Sequence, residues 1–350
     1  MWSVDFDVFS REPTASVQRQ QQTSTDSIDG TNQTEPMSDD VTPLDRLQIF
    51  FGDSSAAEAR VYALLPADAA PAGCTLSGVV TGPQCALAHT LDATAPLIDR
   101  GLATERAPAT LVAEALIADP CFWSPDLPML YKVRVELRRA GERLAAVEHS
   151  LGIRPLGTRG RRLLFGGRPY VLRGVLREGP PESSLPDWRE ATTALVVDTP
   201  EDNLCREASR QGVLLVAWLR QEGLERSPAQ LAAPELTATV RRLGRWPAVV
   251  VAVFEGATRI DAGLRSAARN LLFAQYFGPG ETVEPAAWAD LVLCEDADAT
   301  ALAVRAAPCP KPVVAVRRAG ACSSVAAARN ECDLLQRDLA GRGDFAAYIV

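Results

Sequence analysis

Hydrophobic and polar positions change rhythm partway along this chain. Between residues 46 and 157, short apolar stretches alternate with polar positions and are interrupted by Gly and Pro. Tyr131-Lys-Val-Arg-Val-Glu-Leu puts every second residue on one face, the period of a strand half-buried against a core. Leu111-Val-Ala-Glu-Ala-Leu-Ile and Ala59-Arg-Val-Tyr-Ala-Leu-Leu repeat that period less strictly. Cys74-Thr-Leu-Ser-Gly-Val-Val runs into the turn Thr81-Gly-Pro, and Arg138-Arg-Ala-Gly-Glu-Arg reads as a hairpin connection. Strands at this spacing, with turn residues between them, predict a β-sandwich over 46–157. From 158 to 350 the rhythm becomes strand alternating with helix, the form of parallel βαβ units. The predicted strands are Tyr170–Val175, Ala194–Val197, Val213–Trp218, Ala248–Phe254, Leu271–Tyr276, Leu291–Cys294, Val313–Val316 and Phe345–Val350. The predicted helices between them include Asn203–Gln211, Pro234–Leu243, Ala262–Asn270 and Val325–Leu339. Val249-Val-Val-Ala-Val-Phe is apolar throughout, as befits a strand covered on both faces. Eight strands suffice for a closed barrel of roughly 190 residues, short beside the roughly 250 typical of that architecture. An incomplete barrel is the alternative. Residues 1–45, rich in Gln, Ser, Thr and Asp, lack the apolar content of a core and predict a disordered tail, with a docking segment as the functional alternative.

Composition narrows the classes of function. The 350 residues suggest two domains, and 47% hydrophobic content can fill their cores. With 44 acidic against 36 basic residues, the charge balance argues against a nucleic-acid partner. No apolar run reaches the roughly 20 residues of a membrane span. The start of the chain shows neither a basic nor an apolar leader region, so a cytoplasmic location is expected. The eight cysteines include no C-x-x-C pair and read mainly as small buried apolar residues, with Cys74 and Cys85 a candidate disulfide across a hairpin. His89 and His149 both fall in strand-like parts of the sandwich, which leaves the barrel without a histidine for a triad or a zinc site. With no G-x-G-x-x-G and no P-loop, no cofactor is expected, and no metal site either.

Two segments carry a resemblance. Trp123-Ser-Pro-Asp-Leu-Pro-Met-Leu-Tyr131 and Gly167-Arg-Pro-Tyr-Val-Leu-Arg-Gly-Val175 are similar to signature segments of glycoside hydrolase family 2, the β-galactosidase and β-glucuronidase group. In that family the first lies in an immunoglobulin-like sandwich and the second opens a TIM (β/α)8 barrel. The resemblance therefore implies an immunoglobulin-like β-sandwich followed by a short TIM barrel. It extends over residues 58–350, without the amino-terminal jelly roll usual in the family. Trp123 itself reads as a core anchor more than as a platform for a sugar.

The resemblance also says where two catalytic glutamates should stand. The family's acid/base pattern matches Arg245-Trp-Pro-Ala-Val-Val-Val-Ala-Val-Phe-Glu-Gly-Ala257, with Ala257 at the catalytic position. The nucleophile pattern matches Lys311-Pro-Val-Val-Ala-Val-Arg317, with Arg317 in the nucleophile's place. Alanine moves no proton, and arginine stays protonated and attacks no carbon. The implied protein is a catalytically inactive member with a carbohydrate ligand or an interaction role. The alternative is an active β-glycoside hydrolase with relocated carboxylates, for which Glu255 and Glu295 are the candidates. Glu255 paired with Arg317 or Arg318 would instead be a structural substitute for the lost dyad. Further candidate ligand-binding groups at strand ends are Arg173, Glu178, Asp198 and Trp218, followed after the sixth strand by Asp296 and Asp298.

Overall fold

The computed structural model describes residues 43–104, 109–177, 183–219, 233–255, 258–318, 322 and 324–350. Residues 1–42, most of the segment read as a disordered tail, lie outside them. The folded chain already includes Pro43–Arg46, a 3-10 turn whose Leu44 is buried in the sandwich core, so the tail reading extends too far.

Seven antiparallel strands follow: β1 Gln48–Ser54, β2 Glu58–Pro66, β3 Cys74–Gln84, β4 Ala93–Ala103, β5 Thr110–Ala118, β6 Leu130–Arg139 and β7 Glu142–Leu151. Their spatial order is β1-β2-β5-β4-β3-β6-β7. The sheet turns over at β4, whose first half, residues 93–97, pairs with β3 and whose second half, residues 98–103, pairs with β5. The two halves bury one shared core in which Val61, Ala63 and Leu65 of β2 join Leu76 of β3 and Val133, Val135 and Leu137 of β6. Every second residue of β2 and β6 is buried, as the alternation predicts. All eight cysteines are free. Cys74 opens β3 and Cys85 lies just beyond its far end, so roughly 30 Å of extended strand separates the candidate pair. His149 lies in β7, whereas His89 sits in the irregular β3–β4 connection and not in a strand.

A small antiparallel sheet, β8 Leu156–Arg159, β9 Arg162–Phe165 and β10 Arg168–Pro169, bridges to the second domain. There β11 Leu172–Arg177, β12 Ala194–Asp198, β13 Leu215–Leu219, β14 Val249–Glu255, β15 Leu272–Phe277, β16 Leu291–Glu295, β17 Val313–Val316 and β18 Ala347–Ile349 form a closed parallel barrel. Closure is made by β18 pairing with both β11 and β17, which resolves the choice between a complete and an incomplete barrel. Around it lie α1 Leu185–Glu190, α2 Asp202–Gln211, α3 Ala233–Gly244, α4 Ala262–Ala267, α5 Ala299–Ala306 and α6 Val325–Leu339. Helix α4 stops short of the predicted Asn270. The Asn270 amide instead accepts from Phe51 N and donates to Phe51 O, at 2.9 and 2.8 Å, continuing the hydrogen bonding of β1.

Three further contacts lock the domains together. Trp123 is fully buried within the barrel's core cluster, and its Nε1 donates to Ser209 O of α2 at 2.8 Å. Gly212 ends α2 in the left-handed region with φ 76°, and a Cβ there would lie 2.3 Å from Pro125 O of the sandwich. Buried Arg154 reaches from the sandwich to the carbonyls of Pro247, Val249 and Asn270 at the amino-terminal end of the barrel.

Candidate functional site

Parallel barrels carry their chemistry at the carboxyl ends of the strands. Strand pairing decides which residues point inward there. Gly174, Val196, Val216, Val253, Ala274, Leu293, Val316 and Ile349 belong to one face of the wall, because register partners share a face and alternate residues repeat it. A Cβ on Gly174 would meet Val196 and Ile349 side chains, so this face looks into the barrel. The opposite face packs on helices. Arg173 Nε bonds Asp333 of α6 at 3.0 Å, and Arg317 bonds Asp338 of α6 at 2.8 Å.

The inward face ends, at the mouth, in Leu176, Asp198, Trp218, Glu255, Tyr276, Glu295 and, after β17, Arg318. Three of these form a bonded set. Tyr276 Oη donates to Glu295 Oε2 at 2.7 Å, and Arg318 Nε donates to Glu295 Oε1 and Oε2 at 3.0 and 3.2 Å. Trp218 packs edge-on against the Tyr276 ring, with centroids 4.9 Å apart. The Glu295 side chain is 11% exposed and that of Arg318 47%, so the guanidinium covers a carboxylate that the wall holds. Burial, then the hydrogen bond to Glu295, pushes the Tyr276 hydroxyl up to about 12, so it remains a donor at neutral pH. The Glu295 hydrogen bond also raises Arg318, fixing its positive charge.

The sequence-derived candidates divide accordingly. Arg317 is not a mouth residue, because β17 turns it outward onto α6 and presents Arg318 instead. The proposed Glu255–Arg317 pair is excluded, since the two lie on opposite faces of the wall. The structure gives Arg318 to Glu295, not to Glu255. Arg173 is likewise outside the barrel, bonded also to Gln336, and cannot line the mouth. Trp218 is 1% exposed and packs in the core, so its ring is not a sugar platform. Asp198 and Glu255 end their strands on the inward face. Glu178 and Ala257 lie outside the described residues. The acidic run after the sixth strand separates into three tasks. Glu295 faces the mouth, Asp296 bonds Arg305 of α5 at 3.1 Å, and Asp298 caps α5 by accepting from Thr300 N at 2.6 Å. Arg305 also donates to the carbonyls of Gly278, Glu281 and Glu295, tying together the loops after β15 and β16. Among the described residues, no group of three or more His, Cys, Asp or Glu side chains is arranged to hold a metal ion.

Chemically, the set is a compensated ion pair with a neutral phenol. Both oxygens of the Glu295 carboxylate already accept hydrogen bonds, from the Arg318 guanidinium and the Tyr276 hydroxyl. The exposed edge of Arg318 remains a hydrogen-bond donor toward the mouth. The role of Arg318 was readable in part, as a charge following an apolar strand, but its inward direction was not.

Residues 57–154 match the family model described as glycosyl hydrolases family 2. No curated protein matches the chain in sequence. Among solved structures, similarity extends to a Bacteroides uniformis β-glucuronidase (14% identity, TM-score 0.57), covering 87% of this chain and 45% of that one. A glycosyl hydrolase family 2 member from Bacteroides cellulosilyticus gives 14% identity and a TM-score of 0.58, with 87% and 43% coverage. A Bifidobacterium dentium β-glucuronidase, solved with coumarin-3-O-glucuronide, gives 14% and 0.56, with 87% and 59% coverage. The chain thus spans about half the length of these structures, and at this identity they bear on fold alone.

Proposed function

We propose, from the premise that this chain is of the glycoside hydrolase family 2 type, that it is a carbohydrate-related module whose barrel does not hydrolyse glycosides. The observation that carries this reading is Arg318 bonded to Glu295 in the mouth. Retaining hydrolysis requires two carboxyl groups about 5–5.5 Å apart, one able to give a proton and one able to attack. Glu295 is engaged with a permanent cation. A protonated arginine at the end of the seventh strand would meet an oxocarbenium-like transition state with like charge. The same mouth suits recognition, since Arg318 after β17 presents N–H donors and Glu255 at the end of β14 places a carboxylate on the inward face. Carbohydrate as the ligand class rests on the fold and on the family of the sandwich.

The test is turnover of aryl β-glucuronides and aryl β-galactosides by the full chain, together with calorimetric titration of the corresponding sugars. No turnover is expected, with saturable sugar binding that Arg318→Gln weakens. Turnover abolished by Glu255→Gln would overturn the reading in favour of a hydrolase with relocated carboxylates. Absence of binding to any sugar would reduce the barrel to a scaffold.

A further inference from the structure

Two strands that meet the same cleft each leave an edge open. β1 is an outer strand of the seven-stranded sheet, and β8 is an outer strand of the bridging sheet. Between them lies a cleft of about 610 Å3, lined by Phe51, Gly52 and Ser54 of β1 and by the whole of β8. The pairing register shows which backbone groups of β8 turn away from β9. Arg159 pairs with Arg162 across a two-residue turn, and Pro155 O accepts from Gly166 N at 2.8 Å in the same register. Antiparallel pairing alternates bonded and unbonded positions. Gly157 and Arg159 therefore bond to β9, and the N–H and C=O groups of Leu156 and Thr158 face away from it. Among the described residues those groups have no hydrogen-bond partner. The β1 edge shows what such an edge accepts, since the Asn270 amide pairs with both backbone groups of Phe51 as a neighbouring strand would.

Charge indicates the chemistry of an occupant. Arg154, Arg159, Arg265 and Arg269 line the cleft, and of its lining residues only Asp290 is acidic. Asp290 is already engaged by Arg265 and by Phe273 N, each at 2.8 Å, and Arg154 by backbone carbonyls. Arg159 has no partner among the described residues, and the residue opposite it in the hairpin is a second unpaired cation, Arg162. Like charges directly opposite each other cost stability, which an acidic segment laid along β8 would offset. The chain contains a segment of that kind. Trp2-Ser-Val-Asp-Phe-Asp-Val-Phe9 alternates with period two, setting Ser3, Asp5 and Asp7 against apolar neighbours. Residues 1–42 carry eight acidic and two basic residues, and they end directly before Pro43, which opens the turn into β1. Residues 10–42 can span up to roughly 110 Å, several times the length of β1, so the cleft is within reach.

We propose that residues 2–9 of the same chain dock in this cleft as an added strand on β8, with Asp5 and Asp7 on the Arg159 side. Main-chain bonds to Leu156 and Thr158 supply the attachment, and the alternating side chains fix its register. Charge-assisted bonds from Arg159 to an aspartate select the acidic segment. Tethering through residues 10–42 makes the docking intramolecular, so a short strand suffices. The docked strand protects two open sheet edges that would otherwise invite pairing between molecules.

Amide hydrogen exchange of the full chain, read at Leu156, Thr158 and residues 2–9, tests this. In the wild type these amides are expected to exchange about tenfold or more slowly than in the double variant Asp5→Lys, Asp7→Lys. Those two substitutions lie outside the folded domains, so the barrel strand β13 serves as an unchanged reference. Arg159→Glu, which removes the repulsion with Arg162, is expected to lose the protection of residues 2–9 as well. Equal exchange in the wild type and both variants would overturn the proposal. Protection that grows with protein concentration would also overturn it, by placing the segment on a second copy. Protection of Leu156 and Thr158 without protection of residues 2–9 would do the same, by giving the cleft to another occupant.

Discussion

Two side chains carry titratable groups into places with little water. Burial, and then Arg245, holds the His149 imidazole down to about 4, so the folded protein keeps it neutral where the unfolded chain binds a proton. For a base whose pKa is lowered on folding, the stabilisation is complete above about 6.5 and is lost as pH falls from there toward 4. At about 1.36 kcal/mol for each pKa unit it amounts to roughly 3.4 kcal/mol at most. Urea denaturation of the wild type and of His149→Gln between pH 7 and pH 4 is expected to show a steeper loss in the wild type, and parallel curves would refute it. Arg154 is the second case. Burial lowers its guanidinium to about 9, still well above neutrality, so it remains charged among three carbonyls. At this scale the sequence was least legible. Val313-Val-Ala-Val is buried on both faces, so no alternation reveals which following arginine turns inward. The motif alignment chose Arg317, and the pairing register chose Arg318. The Glu295–Arg318 and Tyr276–Glu295 contacts join separate strands, and no local pattern encodes them.

Elements were far more legible than contacts. The eight barrel strands coincide with the predicted apolar runs, with ends displaced by one or a few residues, because a strand buried on both faces must be continuously apolar. The bridging sheet of β8, β9 and β10 was missed because its strands are too short to establish a period. Helices α1 and α5 escaped notice for the same reason, at six and eight residues. Where an element ends can matter as much as where it lies. Helix α2 stops at Gly212, whose positive φ and close approach to Pro125 O both exclude a side chain. Gly212→Ala is expected to destabilise the protein by about 2–3 kcal/mol, from backbone strain and the displaced Pro125 loop. Chemical denaturation measures that loss, and a change under about 0.5 kcal/mol would mean that the loop yields freely.

For the whole molecule, the sandwich and the barrel unfold as one unit if their junction is as tightly bonded as Trp123, Asn270 and Arg154 indicate. A single calorimetric transition is therefore expected for the wild type. Arg154→Met leaves three buried carbonyls without a donor and is expected to cost about 3 kcal/mol or more, with the transition separating into two. One undivided, unshifted transition in that variant would show that the domains are coupled elsewhere. Trp123 adds a consequence for anyone dissecting the gene. It precedes the first barrel strand by some fifty positions, yet it fills the interior of the second domain. The seam in space and the seam along the polypeptide therefore do not coincide. An expression fragment starting near residue 158 would arrive with a hole where an indole belongs, and its misbehaviour would say nothing about the fragment's own chemistry.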